Sequence, residues 1–119
     1  MKNVEEAVRR LGRTARWSAR GWRVAWATQT SLRQWTWVTL VSTVFALLLD
    51  LTAGERALLL AFGLMLLAAD LFNTPIEAVV DFVSTARDPR AAVAKDCASA
   101  AVALTAFAGF VAWCAILWG

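Results

Sequence analysis

After Asp96 the chain runs 23 residues to Gly119 without one charged side chain. A helix of about 20 residues crosses the hydrocarbon core of a bilayer, so this stretch reads as a membrane span and not as the core helix of a soluble domain. A second uncharged run, 16 residues between Arg33 and Asp50, is slightly short, and its flanking Gln34 and Trp35 suit the headgroup region. A third run, 57–69, continues through Leu71, Phe72 and Ile76 to Val80 once Asp70 and Glu77 are admitted as buried exceptions. The expected fold is an all-α membrane protein, one domain over 1–119, with transmembrane helices at 33–50, 55–83 and 92–118.

Charge orients these spans. Of the twelve Lys and Arg residues, eight precede the first span, Arg87, Arg90 and Lys95 lie between the second and third, and only Arg56 lies between the first and second. The positive-inside rule then places the N-terminus and the 84–94 loop in the cytoplasm, with the 50–56 turn and the C-terminus outside. Trp35, Trp37, Trp113 and Trp118 fall near the interfaces, where indole rings are favoured. The basic N-terminal stretch lacks the short apolar run and small-residue cleavage site of a signal peptide. An inner, cytoplasmic membrane is the expected location.

Asp70, Thr74, Glu77 and Asp81 return to one helical face, with Asn73 on its edge. A charge near a bilayer centre costs at least ~2.5 kcal/mol, so an ionisable residue there is by default a functional candidate. A solvated membrane edge with arginine partners accounts for Asp81 but accounts poorly for Asp70. The chain has no His, which excludes His-based triads and leaves carboxylates or lysine as general bases. Cys97 and Cys114 are 17 positions apart, about 25 Å along one helix, too far to bond each other within it.

Residues 4–27 carry a different pattern. Val4, Ala7, Val8, Leu11, Ala15, Ser18, Trp22 and Ala25 recur at helical spacing, while Arg9, Arg13, Arg16, Arg20 and Arg23 fill another face. Such a helix lies in the membrane interface with its arginines among anionic headgroups. Arg10 leaves the arginine stripe and is a candidate for a phosphate. Thr52 is a candidate cap for a helix starting near Glu55, and Arg87-Asp88-Pro89-Arg90 ends the acidic helix in a cytoplasmic turn. Pro75 frees the Leu71 carbonyl, either as a functional kink or as a tolerated membrane-helix proline.

Three blocks now stand in order: Gly21-Trp-Arg-Val-Ala-Trp26 followed by Arg33-Gln34, then Asn73-Thr-Pro-Ile-Glu-Ala-Val-Val-Asp81, then Ala94-Lys-Asp-Cys-Ala-Ser-Ala-Ala101. In these blocks the chain resembles the small prokaryotic integral-membrane diacylglycerol kinase family, which includes undecaprenol kinases. Its members transfer phosphate from ATP to a lipid hydroxyl. The resemblance extends over nearly the whole chain and implies a homotrimer of three-span protomers, with composite active sites at the cytoplasmic membrane edge.

The resemblance also implies roles. Asp70 occupies the position of the catalytic base and Asn73 orients the reacting groups. Glu77 and Gln29 stand at metal-binding positions, suited to magnesium carried in with ATP. Arg10 and Lys95 hold phosphate oxygens, while Asp96, Trp17, Ala86, Arg87 and Asp88 complete the nucleotide contacts. Lipid contacts fall at Arg10, Thr14, Ala15, Arg16, Trp17, Ser18 and Ala19, at Arg23, Val24, Ala25 and Trp26, and at Ser31, Leu32, Arg33, Gln34 and Trp35. Further contacts fall at Leu48, Leu49, Asp50, Leu51, Arg56, Asp70, Ser99 and Trp113. Ser99, among alanines, also reads as a helix-packing surface, and Lys95-Asp96 as an interfacial end to the third span.

Trp17 and Trp35 are substitutions in the ATP and lipid regions, each able to stack or anchor, and two further positions depart from the family pattern at the catalytic centre. Asp70 stands where the family has Glu, which retracts the carboxylate by roughly 1 Å, and a misplacement of that size costs about a hundredfold in rate. Gln29 stands where the family has a metal-binding Glu, which removes a formal charge that a hard cation favours. The expected activity is MgATP-dependent phosphorylation of diacylglycerol to phosphatidic acid. The rivals are undecaprenol phosphorylation and a member without catalysis that acts in lipid binding or assembly. A proton-coupled transporter would also use a membrane carboxylate, but the basic surface helix and Lys95-Asp96 argue against it.

Overall fold

The computed structural model describes residues 1–83 and 88–119, and these form four α-helices with no strand among them. They are α1 (Lys2–Thr28), α2 (Thr30–Leu48), α3 (Ala53–Val83) and α4 (Pro89–Trp118). The expected turn residues Ala86 and Arg87 lie outside the described residues.

Each boundary has a local cause. Gln29 leaves the helical region at φ −115° and ψ 110°, so α1 stops and α2 restarts one residue later. Its N–H still donates to the Ala25 carbonyl at 2.8 Å. At the far end of α2, Leu49 turns extended, and the Arg56 guanidinium reaches back to the carbonyls of Ala46 (2.9 Å) and Leu49 (3.2 Å). A cation there satisfies last-turn acceptors and meets the negative end of the helix dipole. Thr52 and Glu55 form a reciprocal capping box at the start of α3: the Glu55 N–H donates to Thr52 Oγ1 at 3.1 Å, and the Thr52 N–H to Glu55 Oε1 at 2.9 Å. α4 opens with Asp88 accepting from the Arg90 N–H at 2.8 Å, and Pro89 takes the first helical position, where no N–H is needed. α3 runs through Pro75 as one assigned helix of 31 residues.

α3 is the central element, packing along both α2 and α4, while α1 touches the bundle only weakly. Ala46, Leu59 and Ala112 are buried at one end, joined by Leu51, Phe62, Trp113 and Ile116. Thr39 packs onto Gly63, where a Cβ would meet the Thr39 methyl at 2.9 Å, so glycine sets how closely α2 approaches α3. Trp113 of α4 donates its indole N–H to Ser42 Oγ of α2 at 2.8 Å, linking the two outer helices.

The bundle is inside out for a soluble protein. Phe45, Leu64, Phe72, Leu104, Phe107 and Phe110 are exposed, while alanines such as Ala46 and Ala112 share the interior with Leu32, Leu59 and Leu66. By length and apolar composition α3 and α4 are able to cross a bilayer. α2 does not reach that measure, because its 19 residues include Arg33, Gln34 and six Ser or Thr. Its hydroxyls are not all costly: Thr36 donates to the Leu32 carbonyl at 2.7 Å within the helix.

Candidate functional site

α3 carries the acidic stripe, and α2 and α4 supply its partners. Asp70 is 1% exposed, and Ser31 of α2 spans the gap to it, with its Oγ 3.3 Å from Oδ1 and 3.2 Å from Oδ2. One turn on, Thr74 folds its hydroxyl onto the Asp70 carbonyl at 3.3 Å, which adds a donor to the backbone of the turn containing Pro75. Asn73 Oδ1 is buried and has no hydrogen-bond partner among the described residues. A buried acceptor without a donor is costly in a structural role, which makes Asn73 a candidate contact for a ligand or another chain.

The next turns of α3 meet α4. Lys95 pairs with Asp81 across the two helices, and Glu77, half-buried between Asp70 and Asp81 along α3, acts electrostatically on both Asp70 and Lys95. The structure thus gathers Ser31, Asp70, Asn73, Glu77, Asp81 and Lys95 along one side of α3. Asp96 is exposed on α4, and Asp88 is engaged with Arg90 through both backbone and guanidinium. These hydrogen bonds, the guanidinium's first and the backbone's second, hold the Asp88 carboxyl below the ordinary aspartate value.

Other expected site residues are not gathered with these. Arg10, Thr14, Ala15, Arg16, Trp17, Ser18 and Ala19 lie along the exposed length of α1, as do Arg23 and Val24. Ala25 is buried against the bundle, and Trp26 stacks with Trp22 at a centroid separation of 6.0 Å. Leu32 is fully buried in packing, whereas Arg33 and Gln34 are exposed. Leu48, Leu49 and Asp50 are exposed at the end of α2, with Leu51 packed into the core beside them. Ser99 is exposed on α4. Trp35 and Trp113 line an apolar groove of about 200 Å³ between α2, α3 and α4, with Thr39, Ser42, Phe62 and Gly109.

Sequence reasoning did not foresee three of these contacts. Arg56 and Trp113 are assigned to lipid by resemblance, yet Arg56 caps α2 and Trp113 bonds Ser42. Ser31, also assigned to lipid, turns its hydroxyl to Asp70. Each contact joins residues of different helices or different helix ends, which periodicity within one helix does not register.

The family sequence model described as prokaryotic diacylglycerol kinase matches residues 16–117. The chain belongs to that family. It is 32% identical to the diacylglycerol kinase of Escherichia coli K12 over 118 residues, covering 99% of this chain and 97% of the relative. Its identity to the diacylglycerol kinase of Pseudomonas aeruginosa is 38% over 117 residues, covering 97% and 94%. The Helicobacter pylori J99 diacylglycerol kinase is 33% identical, with 93% and 83% covered. Membership of this kinase family, together with two apolar helices, makes the protein a membrane kinase, and kinase chemistry requires a phosphate-donating nucleotide.

The donor set is informative about metal. Among the described residues no three His, Cys, Asp or Glu side chains come together as a cage for an ion. Magnesium that travels with nucleotide phosphates needs only one or two protein carboxylates, and Glu77, half-buried on α3, is one such carboxylate. The described residues fit a nucleotide-borne cation.

Proposed function

We propose that this protein transfers the γ-phosphate of MgATP to the free hydroxyl of diacylglycerol, giving phosphatidic acid, as a homotrimer of three-span protomers in the bacterial inner membrane. The observation that carries the reading is Asp70: a carboxylate almost wholly removed from solvent, oriented by a hydroxyl from another helix, in a chain of this kinase family. A buried carboxylate that serves packing alone is expensive, whereas one that takes a proton from an attacking alcohol belongs at the depth where a lipid hydroxyl sits.

Phosphoryl transfer asks the protein for positioning and charge neutralisation. In this reading Asp70 accepts the proton of the lipid hydroxyl as its oxygen bonds the γ-phosphorus, and ADP leaves with the bridging oxygen. Asn73 orients the reacting groups through its unpartnered Oδ1. Glu77 and Gln29 are the metal-facing groups, and magnesium, when bound with ATP, neutralises phosphate charge. Lys95, released from Asp81, and Arg10 clamp phosphate oxygens. Asp96, Trp17, Ala86, Arg87 and Asp88 hold the rest of the nucleotide.

α1 lies along the cytoplasmic interface with its arginines at the headgroups, and α2 is the third span. Its hydroxyls are compatible with a bilayer because Thr36 bonds inside the helix while Ser42 and Thr39 face α4 and α3. The trimer follows from the resemblance set out above, and two further copies would cover part of the exposed apolar surface.

Labelled phosphate transfer from MgATP to a short-chain diacylglycerol and to undecaprenol, side by side in mixed micelles, tests the acceptor. Transfer to diacylglycerol is expected. Transfer to undecaprenol alone would reassign the acceptor, and transfer to neither by folded protein would leave a lipid-binding or assembly role.

A further inference from the structure

Asp70 carries its carboxylate on a single methylene, so rotation about that short arm decides where its two oxygens point. The residue is 1% exposed, so the protein itself supplies most of its surroundings. Among the described residues, Ser31 is the only side chain that bonds the carboxylate, and it lies near both oxygens at once, 3.2 and 3.3 Å. A serine hydroxyl has one hydrogen to give, so it engages the carboxylate without consuming the acceptor capacity needed to receive a further proton. Ser31 stands in the first turn of α2, two residues after the break at Gln29.

We propose that Ser31 is a positioning residue whose hydroxyl fixes the Asp70 carboxylate for proton transfer from the lipid alcohol, a role that rests on the kinase reading above. The lipid-contact role implied by resemblance gives a different expectation, because losing a lipid contact raises the KM for lipid. Losing the orientation of the base lowers kcat instead.

The test measures kcat and both KM values in mixed micelles for the wild type, Ser31→Ala, Ser31→Thr and Ser31→Cys, with thermal melting to establish folding. Ser31→Ala is expected to lower kcat by about ten- to a hundredfold with both KM values nearly unchanged, on the scale of a misplaced catalytic group. Ser31→Thr, which keeps the hydroxyl, recovers most of the rate. Ser31→Cys keeps the volume but has a weak donor, so it falls with the alanine variant and serves if alanine at this position does not fold. In the Asp70→Glu background the longer arm raises kcat and makes Ser31→Ala nearly neutral.

A raised lipid KM at constant kcat would overturn the positioning role in favour of a lipid contact. Equal kcat for the wild type, Ser31→Ala and Ser31→Cys would remove it outright. Absence of transfer by the wild type would remove the kinase reading, and this role with it, whereas transfer by the wild type with no effect at Ser31 removes this role alone.

Discussion

At Gln29 the proposed metal contact predicts the magnesium requirement. The amide oxygen can ligate magnesium, but it lacks the formal charge that a carboxylate offers a hard cation. Gln29→Glu is therefore expected to lower the magnesium concentration for half-maximal activity several-fold at fixed ATP, measured by metal titration, while identical titration curves would remove Gln29 from the metal. Asp88 gives a pH dependence of known sign. Its carboxyl is held below the ordinary value by the side-chain and backbone bonds from Arg90, so that stabilisation is complete above the ordinary aspartate range and is lost as pH falls through the lowered value. The thermal midpoint should decline from about pH 5 downward. Asp88→Asn, which still caps the helix, should flatten that decline. The acidic face of Asp70, Glu77 and Asp81 is legible from spacing alone, but the Ser31 contact to Asp70 joins positions 39 apart and needs the tertiary fold.

Between helices, the closest approach is the most sensitive. A methyl group at position 63 would sit 2.9 Å from Thr39 Cγ2, so Gly63→Ala forces α2 and α3 apart. Overpacking of this kind costs about 1–3 kcal/mol, to be read as a lowered midpoint of unfolding in detergent. Thr39→Ser removes the offending methyl and should restore most of the loss. An unchanged midpoint for Gly63→Ala would show that the helices yield at no cost. Element ends were partly legible. Thr52 as a cap follows from its place before Glu55, and the structure completes it as a reciprocal pair. The Arg56 cap on α2 was not legible, since a lone arginine near a membrane reads first as a headgroup partner.

Across the whole molecule, helicity was written in the hydrophobic runs, and so were the apolar α3 and α4. α2 is harder to read in both sequence and structure, because its Ser and Thr residues lower its apolar character while several of them bond inside the bundle. The centre of the molecule is a buried carboxylate on the middle helix of a membrane kinase, reached by a hydroxyl from one neighbour and followed by a cross-helix ion pair with the other. The most direct measurement is kcat for lipid phosphorylation by Asp70→Asn beside the wild type, with equal folded protein and saturating MgATP. A fall of about 10²–10⁴-fold with little change in KM for ATP is the expected result for loss of the general base. Transfer at the wild-type rate by Asp70→Asn would contradict the account.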